Sequence, residues 1–482
     1  MEIQTKINLL CHSNPPRPLS FLVIGTMVCA VSAIVIFPRV RRTEFSVDEP
    51  EWISSGYYYT RLLQKRDFEW QKWDCPECGA WGSLNPHLGK WLIGTALVMN
   101  SRTRVQPHLR YYNFDATWEE NIRAGVIPPL ETLVCARSAP ALFGVLCCLM
   151  VFAIGFWTYN LWVGLIATSF LLTNSVFLKL ASQAMTDTFY NFFLLSCCLA
   201  TVLLWKAAGR KRVYTLVSLC GLFTGLAYSV KISGIVVGSS LFLLVAALSR
   251  FVRRSGERKG PPILTIFSLW TLFTVYVLNP FFWPSWQDIR INAVFGEVRS
   301  LFAEMVASKG IPAGFDRGRY PQLINLSHVL QFPHSFQRFA RELQMQADLG
   351  RGNWPPGNHL VTVHKELLWQ LSQPGTVLSE NLILTYAVGF IATILMGLGM
   401  LFVLPKSQRA VSYERDGSHI VPLLYLVVNY LLIVLFMKDN YDRYYLPTVI
   451  AVYLISAVGL YGVVERTLLL FHATFGLGKR VV

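Results

Sequence analysis

Three carboxylates fall within four positions at Asp48, Glu49 and Glu51, directly after the first long apolar run of the chain, Leu19 to Phe37. A carboxylate at a membrane edge suits one chemistry well. It can take the proton from a hydroxyl or amine as that group attacks an electrophile. A second acidic turn, Met185-Thr186-Asp187-Thr188, opens a later apolar run. Both aspartates also have an ordinary reading. Asp48-x-x-Glu51, with Pro50 in the first turn, is a helix start with Asp48 as N-cap, and Asp187 after Thr186 is another. Two carboxylates at one depth beside basic residues point instead to a site, with Asp48 as base and Asp187 beside it as a second catalytic candidate.

The complement is basic. The turn Asn85-Pro86-His87-Leu88-Gly89-Lys90-Trp91 holds a His and a Lys between Pro and Gly. Arg137 lies inside an apolar span, Lys231 lies between two spans, and Arg443 precedes Tyr444 at the mouth of the last span. Long cationic side chains near helix ends commonly snorkel. Ionisable groups at membrane depth are nevertheless costly and usually line a cavity or pathway. Lys90, Arg137, Lys231 and Arg443 on one side suit a pocket for a lipid-linked phosphate, with Glu49, His87 and Tyr444 as substrate contacts.

The elements that must position these residues are membrane helices. The 482 residues are 53% hydrophobic and only 15% charged, with a mean hydropathy of +0.42. Apolar runs of about 17–24 residues recur, each long enough to cross a hydrocarbon core of about 30 Å as a helix. The expected fold class is all-α, a polytopic membrane protein with about ten spans. The spans are expected near 19–37, 133–157, 161–180, 188–206, 213–230, 233–249, 262–282, 383–404, 419–437 and 444–465. Residues 38–131 form a first outer loop with amphipathic pieces, including an interfacial helix from Pro50. Residues 1–282 form the N-terminal membrane module, 283–382 a large outer loop, and 383–482 the C-terminal helices.

Charge orients this arrangement. The clusters Lys206-Arg210-Lys211-Arg212, Arg250-Arg253-Arg254-Arg258-Lys259, Lys406-Arg409-Arg415 and Lys479-Arg480 fall on one side, which the positive-inside rule makes cytoplasmic. The formal charge of +15 is largely this bias. The basic residues flank spans rather than gather in one domain, which argues against nucleic-acid binding. Seven of the ten cysteines lie in or beside apolar runs, where Cys acts as a small hydrophobe. Cys75 and Cys78 sit in a polar loop as Cys-Pro-Glu-Cys without a second pair, so a local disulfide fits better than zinc.

Six stretches together resemble the GT-C glycosyltransferases, in particular the group of protein O-mannosyltransferases and lipid A aminoarabinose transferases. They are Asp48-Glu49, Asn85-Pro86-His87-Leu88-Gly89-Lys90, Arg137 to Gly144, Ala184 to Asp187, Gly225 to Gly234, and Arg443-Tyr444-Tyr445-Leu446-Pro447. Where protein mannosyltransferases read His-Pro-Pro, this chain has Asn-Pro-His. The resemblance implies a polyprenyl-phosphate-linked sugar as donor and an acceptor (protein Ser/Thr, glycolipid or cell-wall polymer) approached from the non-cytoplasmic face. It implies inverting transfer with Asp48 as base and the four cations around the donor phosphate. By analogy, His87 and a carboxylate are candidates for a divalent metal ion. The protein is then an integral membrane enzyme of an inner membrane or an endoplasmic-reticulum-type membrane. A secondary transporter or flippase is the alternative; the long loops break the repeated halves that such a fold usually shows. A non-catalytic assembly factor that keeps the fold is a third reading.

Overall fold

The computed structural model describes residues 18–67, 72, 86–99, 117–207, 209–252, 263–280, 367–368, 371, 382–403, 418–436 and 442–474. The expected outer loop at 283–382, apart from four residues, lies outside this set, as do Asn85, Cys75 and Cys78. Among the described residues the secondary structure is entirely helical, as the all-α reading expects.

Helix α1 (Pro18–Val40) is the first apolar run, with a proline at its start. Helix α2 (Glu49–Lys65) is the amphipathic piece expected after the first span, and α3 (Leu88–Met99) is apolar but too short to span. After the short α4 (Trp118–Arg123) comes the 29-residue α5 (Leu130–Thr158). Then follow α6 (Leu161–Thr173), α7 (Ser175–Ala181), α8 (Asp187–Trp205), α9 (Arg210–Val230), α10 (Ser233–Val252) and α11 (Ile263–Leu278). The C-terminal helices are α12 (Leu382–Val403), α13 (Val421–Phe436) and α14 (Leu446–Thr474). Five of these helices are long and apolar enough to cross a membrane, and the bent pair α6–α7 makes a sixth; α3, α10, α11, α13 and the described part of α12 are shorter apolar helices. Each of the ten expected spans coincides with one of these helices or with the bent pair.

The chain from 161 to 180, expected as one span, is broken. Its two parts meet at 75°. Asn174 is the cause. Its amide oxygen accepts from the Phe177 N–H and so starts α7, while its amide nitrogen donates to the Tyr453 hydroxyl on α14, both at 2.8 Å. A fully buried amide needs such partners, and a continuous helix would not supply them. The break matters because α7 leads directly into the turn that carries Ala184 and Asp187.

Helices α1, α6, α8 and α3 pack on α5, and α9 joins α8 to α10 and α11. Helix α14 packs on α12, α13 and α6, so the C-terminal helices close against the N-terminal ones. The core runs through α5, α8 and α14 and includes Phe152, Phe177, Phe189, Tyr425 and Tyr453, all fully or almost fully buried.

Two glycines set close approaches. A Cβ on Gly94 of α3 would run into the backbone oxygen of Gly56 and the hydroxyl of Thr60 on α2. A Cβ on Gly89 would stand 2.5 Å from a methyl of Thr186. The first contact fixes α3 against α2, and the second fixes the start of α3 against the second acidic turn. Small residues at such crossings let backbones meet where a larger side chain would hold them apart. Replacing Gly94 by Val therefore should destabilise the protein by about 1–3 kcal/mol, read as a lower midpoint of thermal unfolding in detergent. Gly397→Ala, at a position where a Cβ meets nothing within 4 Å, should leave the midpoint in place.

Candidate active site

The site is organised by a carboxylate the sequence places second in its cluster. Glu49 is 0% exposed and Arg137 1%. Arg137 Nε donates to one oxygen of Glu49 and Nη2 to the other, both at 2.7 Å. The same two oxygens accept from the Ala184 N–H at 2.8 Å and the Ser46 N–H at 2.9 Å. The remaining donors of Arg137 go to the carbonyls of Val40, Thr43 and Glu44. Gln183 also donates to the Glu44 carbonyl. A guanidinium has five N–H groups, and all five are used inside the protein. The fork-to-fork pair thus ties the end of α1, the start of α2, the middle of the chain at α5, and the turn after α7 into one knot.

That knot fixes Asp48 and Asp187. Asp48 precedes α2, is about two-fifths exposed, and accepts from Arg443 Nη1 at 2.7 Å. Asp187 begins α8, is 2% exposed at its side chain, and accepts from Lys231 Nζ at 2.5 Å. Lys231 follows the last residue of α9 in an extended conformation, which turns it out of both neighbouring helices. Its ammonium stands 5.7 Å from the centre of the Tyr190 ring and 5.4 Å from that of Tyr444. Arg443 lies 5.6 Å from the same Tyr444 ring. Burial pushes the Lys231 amine below its ordinary value, and Asp187 holds it back. Burial works against the Arg443 charge too, but Asp187 and Asp48 outweigh it and hold that group above its ordinary value. A small pocket opens here between Lys231, Arg443, Tyr190, Ser233 and Tyr444 on one side and Leu432 and Ile433 of α13 on the other.

Neither aspartate acts as a helix cap. Asp48 has φ −84° and ψ −17° and makes no side-chain bond to the helix end. Thr186, before Asp187, likewise makes none. Elsewhere the chain caps a helix fully: Thr117 and Glu120 form a reciprocal capping box at α4. A good N-cap is typically worth about 1 kcal/mol. The ordinary reading of both acidic turns is therefore not what these side chains do. Each is turned toward a cation on another element.

A second cluster lies along α2 and α3. Lys90 is 1% exposed, with its ammonium 4.9 Å from the centre of the Tyr59 ring. His87 is fully buried and meets the same ring edge-on at 4.5 Å. Burial and the neighbouring Lys90 hold His87 well below its ordinary value, so its imidazole is neutral. Burial pushes Lys90 down to about 7, against the pull of Glu51. Burial pushes Glu51 up to about 8, with Lys90 and Arg443 opposing and Asp48 adding to the rise. Among the described residues no group of three His, Cys, Asp or Glu side chains is placed to hold a metal ion. The charge next to His87 is that of Lys90, which does not suit a cation ligand, so no step here is routed through a metal.

Of the sequence candidates, the structure brings together Asp48, Asp187, Lys231, Arg443 and Tyr444. Glu49 and Arg137, expected as a substrate contact and a phosphate ligand, are buried in each other and are not among the residues that line the pocket. Lys90 and His87 face α2 instead of the pocket. Glu51, Tyr190 and Ser233 were not singled out from the sequence. Glu51 stands three residues after Asp48 and Tyr190 three after Asp187, the helical spacing that shares a face. Ser233, whose hydroxyl donates to that of Tyr190 at 3.0 Å, has no such signal.

Residues 83–295 match the family model of dolichyl-phosphate-mannose-protein mannosyltransferase. The matched segment, somewhat under half of the chain, is similar to that family. His87, Lys90, Arg137, Asp187 and Lys231 lie in this mannosyltransferase segment, and the resemblance read from the motifs is borne out. No curated protein sequence gives a significant match. Among solved structures, the chain is similar to an oligosaccharyltransferase of Archaeoglobus fulgidus in the apo form, with a TM-score of 0.48 and 12% identity over 95% of this chain and 52% of that one. It is also similar to the archaeal oligosaccharyltransferase AglB of Archaeoglobus fulgidus in complex with an inhibitory peptide and a dolichol-phosphate, with a TM-score of 0.42 and 14% identity over 95% of this chain and 52% of that one. The chain thus spans about half the length of these structures.

Removing one partner of the buried knot should be far worse than removing both. Arg137→Met leaves the Glu49 carboxylate without its counter-charge and should cost about 3–5 kcal/mol. The double variant Glu49→Gln/Arg137→Met should recover part of that loss, as read by thermal unfolding in detergent.

Proposed function

We propose that the chain is a membrane glycosyltransferase that moves a sugar from a polyprenyl-phosphate donor to an acceptor on the non-cytoplasmic face, with inversion and with Asp48 as base. The observation that carries this reading is that Lys231 and Arg443 line one pocket while each is paired to an aspartate, Asp187 and Asp48 respectively. The mannosyltransferase match supports the lipid-linked donor.

In this reading the donor phosphate enters between Lys231 and Arg443, and the first part of its prenyl chain lies against Leu432 and Ile433. The Asp48–Arg443 pair is partly exposed, and such pairs hold weakly. The donor phosphodiester, with two non-bridging oxygens sharing one negative charge, competes with Asp48 for Arg443 and draws it away, and Asp48 is released as charge builds on the leaving phosphate. Asp48 then accepts the proton of the acceptor hydroxyl or amine. The acceptor atom bonds to the anomeric carbon from the face opposite the phosphate, and the carbon–oxygen bond to the phosphate breaks, its electron pair leaving with the phosphate. The two cations stabilise the negative charge that grows there while the sugar becomes oxocarbenium-like. Asp187 keeps Lys231 charged and aimed. Glu49 and Arg137 touch no substrate; they hold the loop that presents Asp48.

Asp48→Asn should lower transfer from labelled polyprenyl-phosphate mannose to membrane acceptors by about 10²–10⁴-fold, with polyprenyl phosphate still bound. Lys231→Met and Arg443→Met should each weaken polyprenyl phosphate binding by roughly tenfold, as loss of a charge-assisted hydrogen bond implies. Undiminished transfer by Asp48→Asn would remove this mechanism.

A further inference from the structure

Glu51 is the carboxylate of the first cluster that the mechanism above leaves without a task. It sits in the first turn of α2, where a glutamate three residues after an N-cap commonly bonds back to the helix start. Here that bond is not made. The side chain is half-buried, and among the described residues it accepts no hydrogen bond. Its charged surroundings are Lys90 on α3, Asp48 one turn before it, and Arg443 from the turn before α14. Lys90 is itself buried against Tyr59, and α3 is fixed to α2 by the crossing at Gly94. The carboxyl therefore stands one turn from the proposed base, within the field of the buried Lys90 amine, and keeps its hydrogen-bonding capacity open.

We propose that Glu51 is a specificity residue that hydrogen-bonds one hydroxyl of the transferred sugar, with Lys90 behind it holding the carboxyl in place. The inference rests on the donor reading given above. With the phosphate between Lys231 and Arg443 and the acceptor oxygen at Asp48, the sugar ring lies between them, beside Arg443 and Asp48. Glu51 stands one helical turn beyond Asp48, whose carboxylate holds Arg443. The rise of Glu51 to about 8 leaves it largely protonated at neutral pH, so it can both donate and accept. A hydroxyl matches that capacity. A cationic ligand does not, because Lys90 and Arg443 already flank the position. A site that hydrogen-bonds a substrate hydroxyl discriminates strongly against the analogue that lacks it, because its own polar group is then left unpaired.

The test is a binding series on the purified full-length protein. The probes are polyprenyl phosphate, polyprenyl-phosphate mannose, and the four donors that each lack one of the 2-, 3-, 4- and 6-hydroxyls. In the parent protein one deoxy donor should bind about tenfold more weakly than the mannose donor, the effect of one lost hydrogen bond to a half-buried carboxyl. In Glu51→Ala that difference should vanish, while polyprenyl phosphate binds as before. Glu51→Gln, which keeps the shape and two hydrogen-bonding atoms, should retain part of the discrimination and serves as the folded variant should Glu51→Ala lose stability. Lys90→Met should weaken the discrimination without abolishing phosphate binding. An unchanged deoxy series in both Glu51 variants, with polyprenyl phosphate still bound, would overturn the inference and leave the donor reading standing. Failure of the parent to bind polyprenyl phosphate would overturn both.

Discussion

One buried ion pair governs the geometry of the candidate site. Glu49 and Arg137 lie 88 positions apart in sequence and meet through two hydrogen bonds with almost no solvent access. Burying two charges is costly, and such a pair breaks even only when the other hydrogen-bonding positions are filled. Here they are, by two backbone N–H groups and three carbonyls that come from separate segments. The pair therefore contributes specificity of shape more than net stability. It compels the loop after α1 and the turn after α7 to share one address, and Asp48 and Asp187 follow from that.

The second constraint is that the helix ends next to the site forgo their caps. α2 and α8 begin with acidic residues suitably placed to accept from their own N–H groups, yet these side chains reach for Arg443 and Lys231 instead. The capping box at α4 shows that the chain makes the local bond where no other demand acts. Local preference thus yields to a tertiary arrangement at the same places where chemistry is proposed, a common mark of functional positions.

Much of this was legible in the sequence. The ten apolar runs all coincide with helices, because a run of that length has few other ways to satisfy its backbone in lipid. Asp48, Asp187, Lys231 and Arg443 stand out in the sequence as charge at membrane depth, and the fold joins them as two ion pairs whose cations line one pocket. The break at Asn174 was not legible, since its cause is a hydroxyl on Tyr453, 279 positions away. Nor was the division of labour among the charges. From sequence, Arg137 looks like the other cations at membrane depth; only the fold shows its five N–H groups bonded to Glu49 and three carbonyls. Glu51 reads in the sequence as part of a helix start, because it stands three residues after Asp48.

The most direct measurement of the central claim is an experimental structure of the full chain with polyprenyl phosphate bound. The account predicts phosphate oxygens in contact with both Lys231 and Arg443, the Asp48–Arg443 pair opened, and Glu49–Arg137 unchanged. A phosphate bound away from both cations, with Asp48 still paired to Arg443, would contradict it.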